Sequence, residues 1–367
     1  MNLYSIIRSK SLAAKPLKCS TISNKSFNGS WMKEIFGFND HDILENSKNK
    51  SREIESIQTF MEHKVKYDIN TGKLYTPGGE YDSGWFINPT LKDIRQTLSK
   101  LQLPPGKLNV IIKGGIDVGD AHINAAPYEV FQGASQFNAL EMVNHNITPF
   151  HGIENYIYDN TQGPRTALSC APGTFIRNYW MLYKNGSQFN ALENLNISHT
   201  NGYLLWGDNP QQIEQKINID TIENIMIPCM LYTQVAGITM SSEIYKHVLP
   251  KRVHQIYSSA APVDAYGNSG NMESQLNIVK CILKAQYFGA IGLGIILHNF
   301  DMKKNLTNLN KPRINLTLIG SGVFNIPESI TIDIIATVIE EFKDYDCDVI
   351  IHGYRQHTIR NIESMFV

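Results

Sequence analysis

The chain has 367 residues, of which 42% are hydrophobic and 18% are charged, and its net charge is −1. This composition is typical of a folded protein, and the near-zero charge argues against a general electrostatic attraction to nucleic acid or acidic membranes. No apolar run approaches the roughly 20 residues that span a bilayer.

The first 30 residues form a basic, acid-free leader, in which Arg8 and several lysines precede the first acid of the chain, Glu34. Such a leader is either an organelle transit peptide or a disordered tail, and its scarcity of arginine favours the tail. Folding is expected to begin at the aromatic cluster 31–38. The sequence therefore predicts a flexible leader over 1–30, an N-terminal extension packed on the core over 31–105, and a main domain over 106–367.

The extension carries several local structure signals. Residues 39–66 are charged and predict helix, and Pro77-Gly78-Gly79 predicts a hairpin turn within 73–82. Thr90 is a suitable cap for a helix over 91–101. A strand over 108–112 then opens the main domain.

A block rich in glycine and polar residues follows this strand. Its side chains that could bind the edge of a base or the hydroxyls of a ribose are those of Gln132, Gln136, Asn138 and Glu141. The alternative is a helix start whose amides satisfy nearby backbone groups. Within this block Ser135–Glu141 reads SQFNALE, and the same heptapeptide recurs at 187–193. A single duplication does not establish a repeat array, so we interpret the second copy as a surface loop and helix start.

The loop 158–164 combines a carboxylate, Asp159, with hydroxyl, amide and glycine groups, which together could position a water near an anionic ligand. The alternative is an Asx-turn in which Asp159 caps the following backbone. The nearby Cys170 is a possible nucleophile, but a buried small hydrophobe is the more frequent role of a lone cysteine. The five cysteines are odd in number and widely spaced, which argues against a disulfide framework or a zinc site and favours a reducing, cytoplasmic setting.

The second half alternates strands and helices, which predicts a layered α/β domain whose ligands lie beyond the carboxyl ends of the strands. The predicted elements are strand or strands within 222–235, a strand over 253–260, a helix over 272–289, a strand over 314–319, a helix with Ile330, Ile334, Val338 and Phe342 on its buried face, and a strand over 346–352. Asp264 follows one of these strands.

A glycine turn, Gly320 to Asn325, joins the strand 314–319 to the next helix. Such a joint directs unpaired backbone N–H groups and the positive end of the helix dipole to one place, which suits a phosphate or diphosphate. An ordinary packing joint is the alternative.

Four segments, in this order, resemble macrodomain-type ADP-ribosyl hydrolases, in the branch related to poly(ADP-ribose) glycohydrolase and most closely the group of the bacterial effector hydrolase MavL, which acts on ADP-ribosylated ubiquitin. They are 131–138 (FQGASQFN), 159–164 (DNTQGP), 261–266 (APVDAY) and 316–324 (LTLIGSGVF). The resemblance implies a three-layer α/β/α macrodomain-like mixed sheet with an N-terminal helical and strand extension.

The resemblance also implies roles for individual residues. Asp264 and Asp159 are the expected catalytic carboxylates, one of which activates water or holds a ribose hydroxyl. The expected ligand-binding residues are Phe131, Gln132, Gln136, Asn138, Thr161, Gln162, Gly163, Tyr266, Gly320, Ser321, Gly322, Val323, Phe324 and Asn325. No metal and no cofactor are implied.

The expected activity is therefore removal of ADP-ribose from a mono-ADP-ribosylated protein, with ubiquitin as one possible partner and with no nucleic-acid or membrane partner. The chain departs from the family pattern in lacking a glycine after Phe324 and in lacking the paired Glu-Glu beside a Gly-Gly-Gly loop. The second departure argues against cleavage of polymer. The alternatives are a reader module that binds ADP-ribose without cleaving it, and an amidase using Cys170. A cytoplasmic location is expected, with a secreted effector or an organelle protein as alternatives.

Overall fold

A computed structural model describes residues 2–14, 30–44, 53–115, 117–236, 238 and 251–366. The strands are β1 (Lys66–Asp68), β2 (Lys73–Thr76), β3 (Gly79–Asp82), β4 (Trp85–Ile87), β5 (Asn109–Gly114), β6 (Val130–Ala134), β7 (Cys229–Gln234), β8 (Arg252–Ser258), β9 (Arg313–Thr317) and β10 (Asp348–Gly353). The helices are α1 (Leu3–Ala13), α2 (Trp31–Phe36), α3 (Asp40–Leu44), α4 (Glu53–Lys64), α5 (Leu91–Leu98), α6 (Val118–Ile123), α7 (Gln162–Ser169), α8 (Ala171–Phe175), α9 (Met181–Asn185), α10 (Pro210–Glu214), α11 (Met272–Lys303), α12 (Glu328–Glu341) and α13 (Gln356–Phe366).

The main sheet has seven strands in the order β4-β7-β8-β6-β9-β10-β5. The strands β8, β6, β9, β10 and β5 run parallel, whereas β7 and the edge strand β4 pair antiparallel. A parallel sheet requires helical crossovers on its faces, and helices cover both faces here. The predicted three-layer α/β/α mixed sheet is confirmed.

The two faces are separated by the alternation of side chains along each strand, which β8 illustrates. Ile256 belongs to the larger core, which α1, α5, α11 and α12 share with the sheet. Tyr257 points the other way, into the core formed with α2, α4, α7 and α8. Because successive side chains of a strand point to opposite faces, one strand supports both helical layers.

Helix α11 is the central helix of the larger core and is longer than the predicted 272–289. Gly292 and Gly294 lie close to Ile94 and Ile314, so the helix packs tightly between α5 and the sheet. In the described part of the chain it is the one helix long and apolar enough to cross a membrane, and 89% of its apolar stretch is buried inside the protein. Burial on all sides accounts for its apolar composition.

Within the predicted flexible leader, the structure differs over residues 3–13. These form α1, and Leu3 and Ile7 are buried in the larger core. The helix was missed because its apolar face is short and the basic residues Arg8 and Lys10 lie in the same helix. The rest of the leader, 15–29, lies outside the described residues, as does 45–52 of the predicted helical region 39–66.

Other local predictions are confirmed to within a few residues. The hairpin joins β2 to β3, and the helix 91–98 carries a capping box in which Thr90 and Asp93 bond each other's backbone N–H. Strands β5, β8, β9 and β10 lie at the predicted places. Within 222–235 one strand forms, β7, after a short 3₁₀ turn at Ile222–Asn224.

Candidate functional site

A cleft of about 850 Å³ opens beyond the carboxyl ends of the parallel strands, where the topology predicts ligands. Its lining comes from the loops after β6, β8, β9, β10 and β5 and from the start of α7. Its wall includes Gln136, Glu141, Asp159, Thr161, Gln162, Gly163, Tyr203, Tyr266, Gly320, Ser321, Gly322, Val323, Phe324, His352, Tyr354 and Arg355.

The predicted glycine turn forms one wall of the cleft. In the described part of the chain the N–H groups from Ser321 to Phe324 donate to no protein acceptor. Gly320 has a φ of +79°, which favours glycine, and an added Cβ there would lie 2.4 Å from Ile326 Cδ1. Helix α12 begins just beyond the turn, so free donors and a positive helix end lie together.

Asp159 lines the cleft immediately before α7. Its Oδ1 accepts a hydrogen bond of 2.8 Å from the N–H of Thr161, which is the Asx-turn considered above. The cap residue Thr161 makes no side-chain capping bond, which leaves the first N–H groups of α7 available at the cleft. The Asx-turn therefore fixes the carboxylate of Asp159 and does not remove it from the cleft.

Four carboxyl residues line the cleft, namely Asp117, Glu141, Asp159 and Glu328, and Glu141 is 5% exposed. Burial raises its pKa to about 7, and the nearby Arg177 guanidinium counteracts this only in part. Gly163 allows the carboxyl to approach the start of α7, because a Cβ on Gly163 would lie 2.2 Å from Glu141 Oε2. A buried carboxyl with a pKa near neutrality can donate or accept a proton at physiological pH.

Two buried side chains hold the backbone and carboxyl of Glu141. Arg177 Nη1 lies 3.4 Å from Oε1 and also donates to the carbonyl of Ala139, while the guanidinium stacks on the ring of Tyr257. The hydroxyl of Tyr156 accepts from the N–H of Glu141 at 3.1 Å. Arg177 thus holds the carboxyl of Glu141, and Tyr156 holds its backbone.

An aromatic cluster closes the end of the cleft beyond β6 and β8. The rings of Tyr203, Tyr266 and Phe324 lie with centroids 5.0 to 5.7 Å apart. Tyr203 donates to the carbonyl of Met142 at 2.6 Å, which ties the cluster to the residue after Glu141. This end combines flat apolar surface with a protonatable carboxyl.

The opposite end lies beyond β10 and β5 and contains His352, Tyr354 and Arg355. The side-chain amide of Asn315 donates to Glu129 Oε2, so its Oδ1 accepts from His352 Nε2 at 2.9 Å. Burial lowers the pKa of His352 to about 4, which keeps the ring neutral. Tyr354 is 72% exposed at the mouth. This end offers a flat surface and a cation.

Four of the predicted ligand-binding residues do not line the cleft. Phe131 stacks on His122, and Gln132 donates to Ser258 inside the sheet. Asn138 bonds Gln188 and the N–H of Leu140, and Asn325 donates to the carbonyl of Val263. The amides of Gln132, Asn138 and Asn325 thus satisfy protein groups, and the bond of Asn138 to the N–H of Leu140 is of the local kind that the alternative interpretation described. Gln136 does line the cleft, but both ends of its amide bond the backbone of Met142.

Asp264, which was expected beside the sugar, also lies outside the cleft lining. Its loop does pack against the glycine turn, since the N–H of Val263 donates to the carbonyl of Phe324 at 2.9 Å. The backbone of Asp264 is left-handed, with a φ of +45°, and its Oδ1 accepts from Gln275 at 2.9 Å. The turn therefore directs the carboxylate to the start of α11.

Cys170 is fully buried in a small apolar cluster, and burial raises the pKa of its thiol far above the usual range. It does not line the cleft, so the amidase alternative has no support in the geometry. In the described part of the chain, no three His, Cys, Asp or Glu side chains cluster as metal ligands would.

Sequence reasoning missed Arg177 and Tyr203 as parts of the site. It also missed the residues at the end of β10, which are His352, Tyr354 and Arg355, and it named Glu141 only as one polar residue of its block. The positions after β10 could have been found, because they follow a predicted parallel strand and must lie at the same sheet edge. Arg177 had no local signal, since its partner is 36 residues away.

No family model matches the chain, and neither does any curated protein. Among solved structures the chain is similar to poly(ADP-ribose) glycohydrolase from Deinococcus radiodurans in complex with ADP-ribose, with 11% identity, a TM-score of 0.44, and coverage of 77% of this chain and 95% of that one. It is also similar to poly(ADP-ribose) glycohydrolase from Thermomonospora curvata, with 12% identity, a TM-score of 0.43, and coverage of 87% and 100%. The same enzyme bound to the inhibitor ADP-HPD has 9% identity and a TM-score of 0.40, with the same coverage.

Proposed function

We propose that the chain is an ADP-ribosyl glycohydrolase that releases a single ADP-ribose from a modified protein. The observation that carries the proposal is the convergence of three features on one cleft. These are the turn 320–324 with its free N–H groups, the carboxylate of Asp159, and the buried carboxyl of Glu141.

The diphosphate of the ligand lies against the turn 320–324, where free backbone donors and the start of α12 stabilise negative charge. The reacting ribose then points toward Glu141 and the aromatic cluster, and the nucleoside points toward Tyr354 and Arg355. A cleft of about 850 Å³ is within the usual range for a ligand of this size.

Glu141 acts as the general acid, because burial keeps its carboxyl protonated near neutral pH. The bond between ribose C1″ and the oxygen or nitrogen of the modified residue breaks through an oxocarbenium-like state, and Glu141 gives its proton to the leaving atom. Asp159 stabilises the developing positive charge and accepts a proton from the water that adds to C1″. The products are free ADP-ribose and the unmodified residue.

The substrate class rests on the sequence resemblance. The chain lacks the paired glutamates beside a triple glycine, so we propose a mono-ADP-ribosylated protein as the substrate. Ubiquitin is one candidate, in keeping with the resemblance to the MavL group.

The test combines binding with turnover. Calorimetry with ADP-ribose and release of ADP-ribose from a mono-ADP-ribosylated protein are measured for the wild type, Glu141→Gln and Asp159→Asn. Each variant is expected to bind ADP-ribose within a few-fold of the wild type and to lose about 100-fold or more in kcat, the usual worth of a proton-transfer group. Asp264→Asn is the control and should keep full turnover, because its side chain bonds Gln275 outside the cleft lining.

Each contrary result has a definite meaning. Binding without turnover by the wild type would show a reader module that recognises ADP-ribose and does not cleave it. Absence of binding at millimolar ADP-ribose would refute the site itself.

A further inference from the structure

The segment 149–158 lies between Glu141 and Asp159 in sequence and is held by the N-terminal extension. The indole Nε1 of Trp31 donates to the carbonyl of Glu154 at 2.9 Å. A carboxylate oxygen of Asp40 accepts from the N–H of Glu154 at 2.6 Å. The backbone carbonyl and the backbone N–H of Glu154 are therefore hydrogen-bonded by side chains from α2 and α3, respectively.

The contact at Asp40 is close and specific. Gly152 has a φ of +80°, and a Cβ there would lie 2.0 Å from Asp40 Oδ2, so glycine is needed for the approach. The other carboxylate oxygen accepts a hydrogen bond from the hydroxyl of Tyr179. Trp31 and Asp40 are both buried, at 1% and 8% exposure, so water does not compete for these bonds.

The same segment contacts both Glu141 and Asp159. The hydroxyl of Tyr156 accepts from the N–H of Glu141 at 3.1 Å, and the carbonyl of Tyr156 accepts from the N–H of Asp159 at 3.2 Å. A displacement of the segment would therefore move the backbone of both residues at once.

We propose that Trp31 and Asp40 are positioning residues that set the placement of Glu141 and Asp159 through the segment 149–158. This inference rests on the proposed function for its kinetic consequence. Neither residue lines the cleft, and their side-chain bonds go to Glu154 and Tyr179, so we expect changes in them to leave the turn 320–324 in place. The expected signature is lost turnover with retained binding, because a misplacement of about 1 Å can cost about 100-fold in rate.

The main variant is Trp31→Phe, which keeps a buried ring and removes the N–H donor. Its matched control is Trp85→Phe, because the indole of Trp85 is also buried and donates at 2.7 Å to a backbone carbonyl, that of Ile69, away from the cleft. A second pair is Tyr179→Phe, which removes a bond to Asp40, and Tyr67→Phe, which removes a bond of 2.7 Å to Gly84.

Trp31→Phe and Tyr179→Phe are expected to lower kcat about tenfold, with the Kd for ADP-ribose within twofold of the wild type. Their controls are expected to keep the wild-type kcat. Equal kcat in Trp31→Phe and Trp85→Phe would overturn the proposal, as would a loss of ADP-ribose binding that matches the loss of turnover.

Hydrogen exchange on the same four variants separates this inference from the proposed function. Residues 149–159 should exchange faster in Trp31→Phe and Tyr179→Phe than in their controls, whether or not the protein turns over any substrate. Unchanged exchange in this segment would refute the positioning role even if the wild type is an active enzyme. Faster exchange in the two variants, together with no turnover by the wild type, would leave the positioning role intact and refute the hydrolase.

Discussion

At the scale of single residues, burial disfavours the charged form of the Glu141 carboxyl. Its carboxyl is buried beside Arg177, yet the distance of 3.4 Å is long for a strong ion pair. Burial therefore dominates, and the pKa rises from 4.5 to about 7. A group placed in this way is poorly explained by stability alone, which makes it a candidate for chemistry.

A pH-dependent stability follows from this raised pKa. Between pH 4.5 and about 7 the native state keeps a proton that the unfolded state releases, so the stabilisation is fully present below pH 4.5 and is lost as the pH rises through 7. The loss is on the order of 3 kcal/mol. Urea unfolding at pH 5 and pH 8 should therefore show a smaller difference for Glu141→Gln than for the wild type. An identical difference in both proteins would contradict the buried, protonated state of this carboxyl.

Residue identity was predictable from the sequence more often than side-chain direction. Gln132, Asn138 and Asp264 have suitable chemistry and lie near the cleft in sequence, but each bonds a protein group elsewhere. The direction of Gln132 depends on the pairing of β6 with β8 and β9, which is a long-range property. That of Asp264 depends on a left-handed backbone, which few non-glycine residues adopt and which no local pattern indicated.

At the scale of elements, the glycine turn before α12 has two glycines with different roles. Gly320 satisfies the fold, because its φ is positive and Ile326 leaves no room for a side chain. A Cβ on Gly322 would meet no atom within 4 Å, and its φ is not in the left-handed region. The fold alone gives no reason for glycine at 322, whereas a closely approaching ligand would.

This difference gives a paired prediction. Gly320→Ala should lower the free energy of unfolding by about 1–2 kcal/mol, the cost of a left-handed L-residue. Gly322→Ala should leave that free energy within about 0.5 kcal/mol of the wild type but weaken the binding of ADP-ribose, because the added methyl occupies the ligand's space. Thermal unfolding and calorimetry measure the two effects. Undiminished affinity in Gly322→Ala would show that no phosphate approaches this turn.

The repeated heptapeptide shows the limit of local sequence. Both copies form the same turn, in which an asparagine Oδ1 accepts from the N–H two residues on, at Asn138 and at Asn190. The backbone inside the turn differs, since Ala139 is left-handed with a φ of 60° and its counterpart Ala191 is not, and the N–H of Ala191 donates to the carbonyl of Phe137. The second copy packs against the first. Seven identical residues thus give the same asparagine side-chain bond, and the backbone conformation and the other contacts depend on the tertiary structure.

At the scale of the whole molecule, the N-terminal extension is continuous with the main sheet. Strand β4 is the edge strand beside β7, and α5 packs on α11. Phe36 is fully buried against Trp31, Phe38, Tyr81 and Phe175, which joins α2 to the hairpin and to α8. The sequence indicated that 31–38 folds, but Tyr81 and Phe175 lie more than 40 residues from Phe36 and were beyond any local pattern.

We therefore expect the extension and the main domain to unfold in one cooperative transition. Phe36→Ala is expected to lower the free energy of unfolding by about 3–5 kcal/mol, the usual cost of removing a buried phenylalanine. The loss should shift the unfolding of the whole chain, because the rings around Phe36 and the main sheet both pack against β7 and α8. Denaturation followed by far-ultraviolet circular dichroism and by tryptophan fluorescence should give coincident curves for the wild type, and likewise for Phe36→Ala. A separate early transition in fluorescence, with the sheet signal unchanged, would show that the extension is an independent unit. The contacts of Trp31 and Asp40 with the segment 149–158 would then be lost before the cleft itself unfolds.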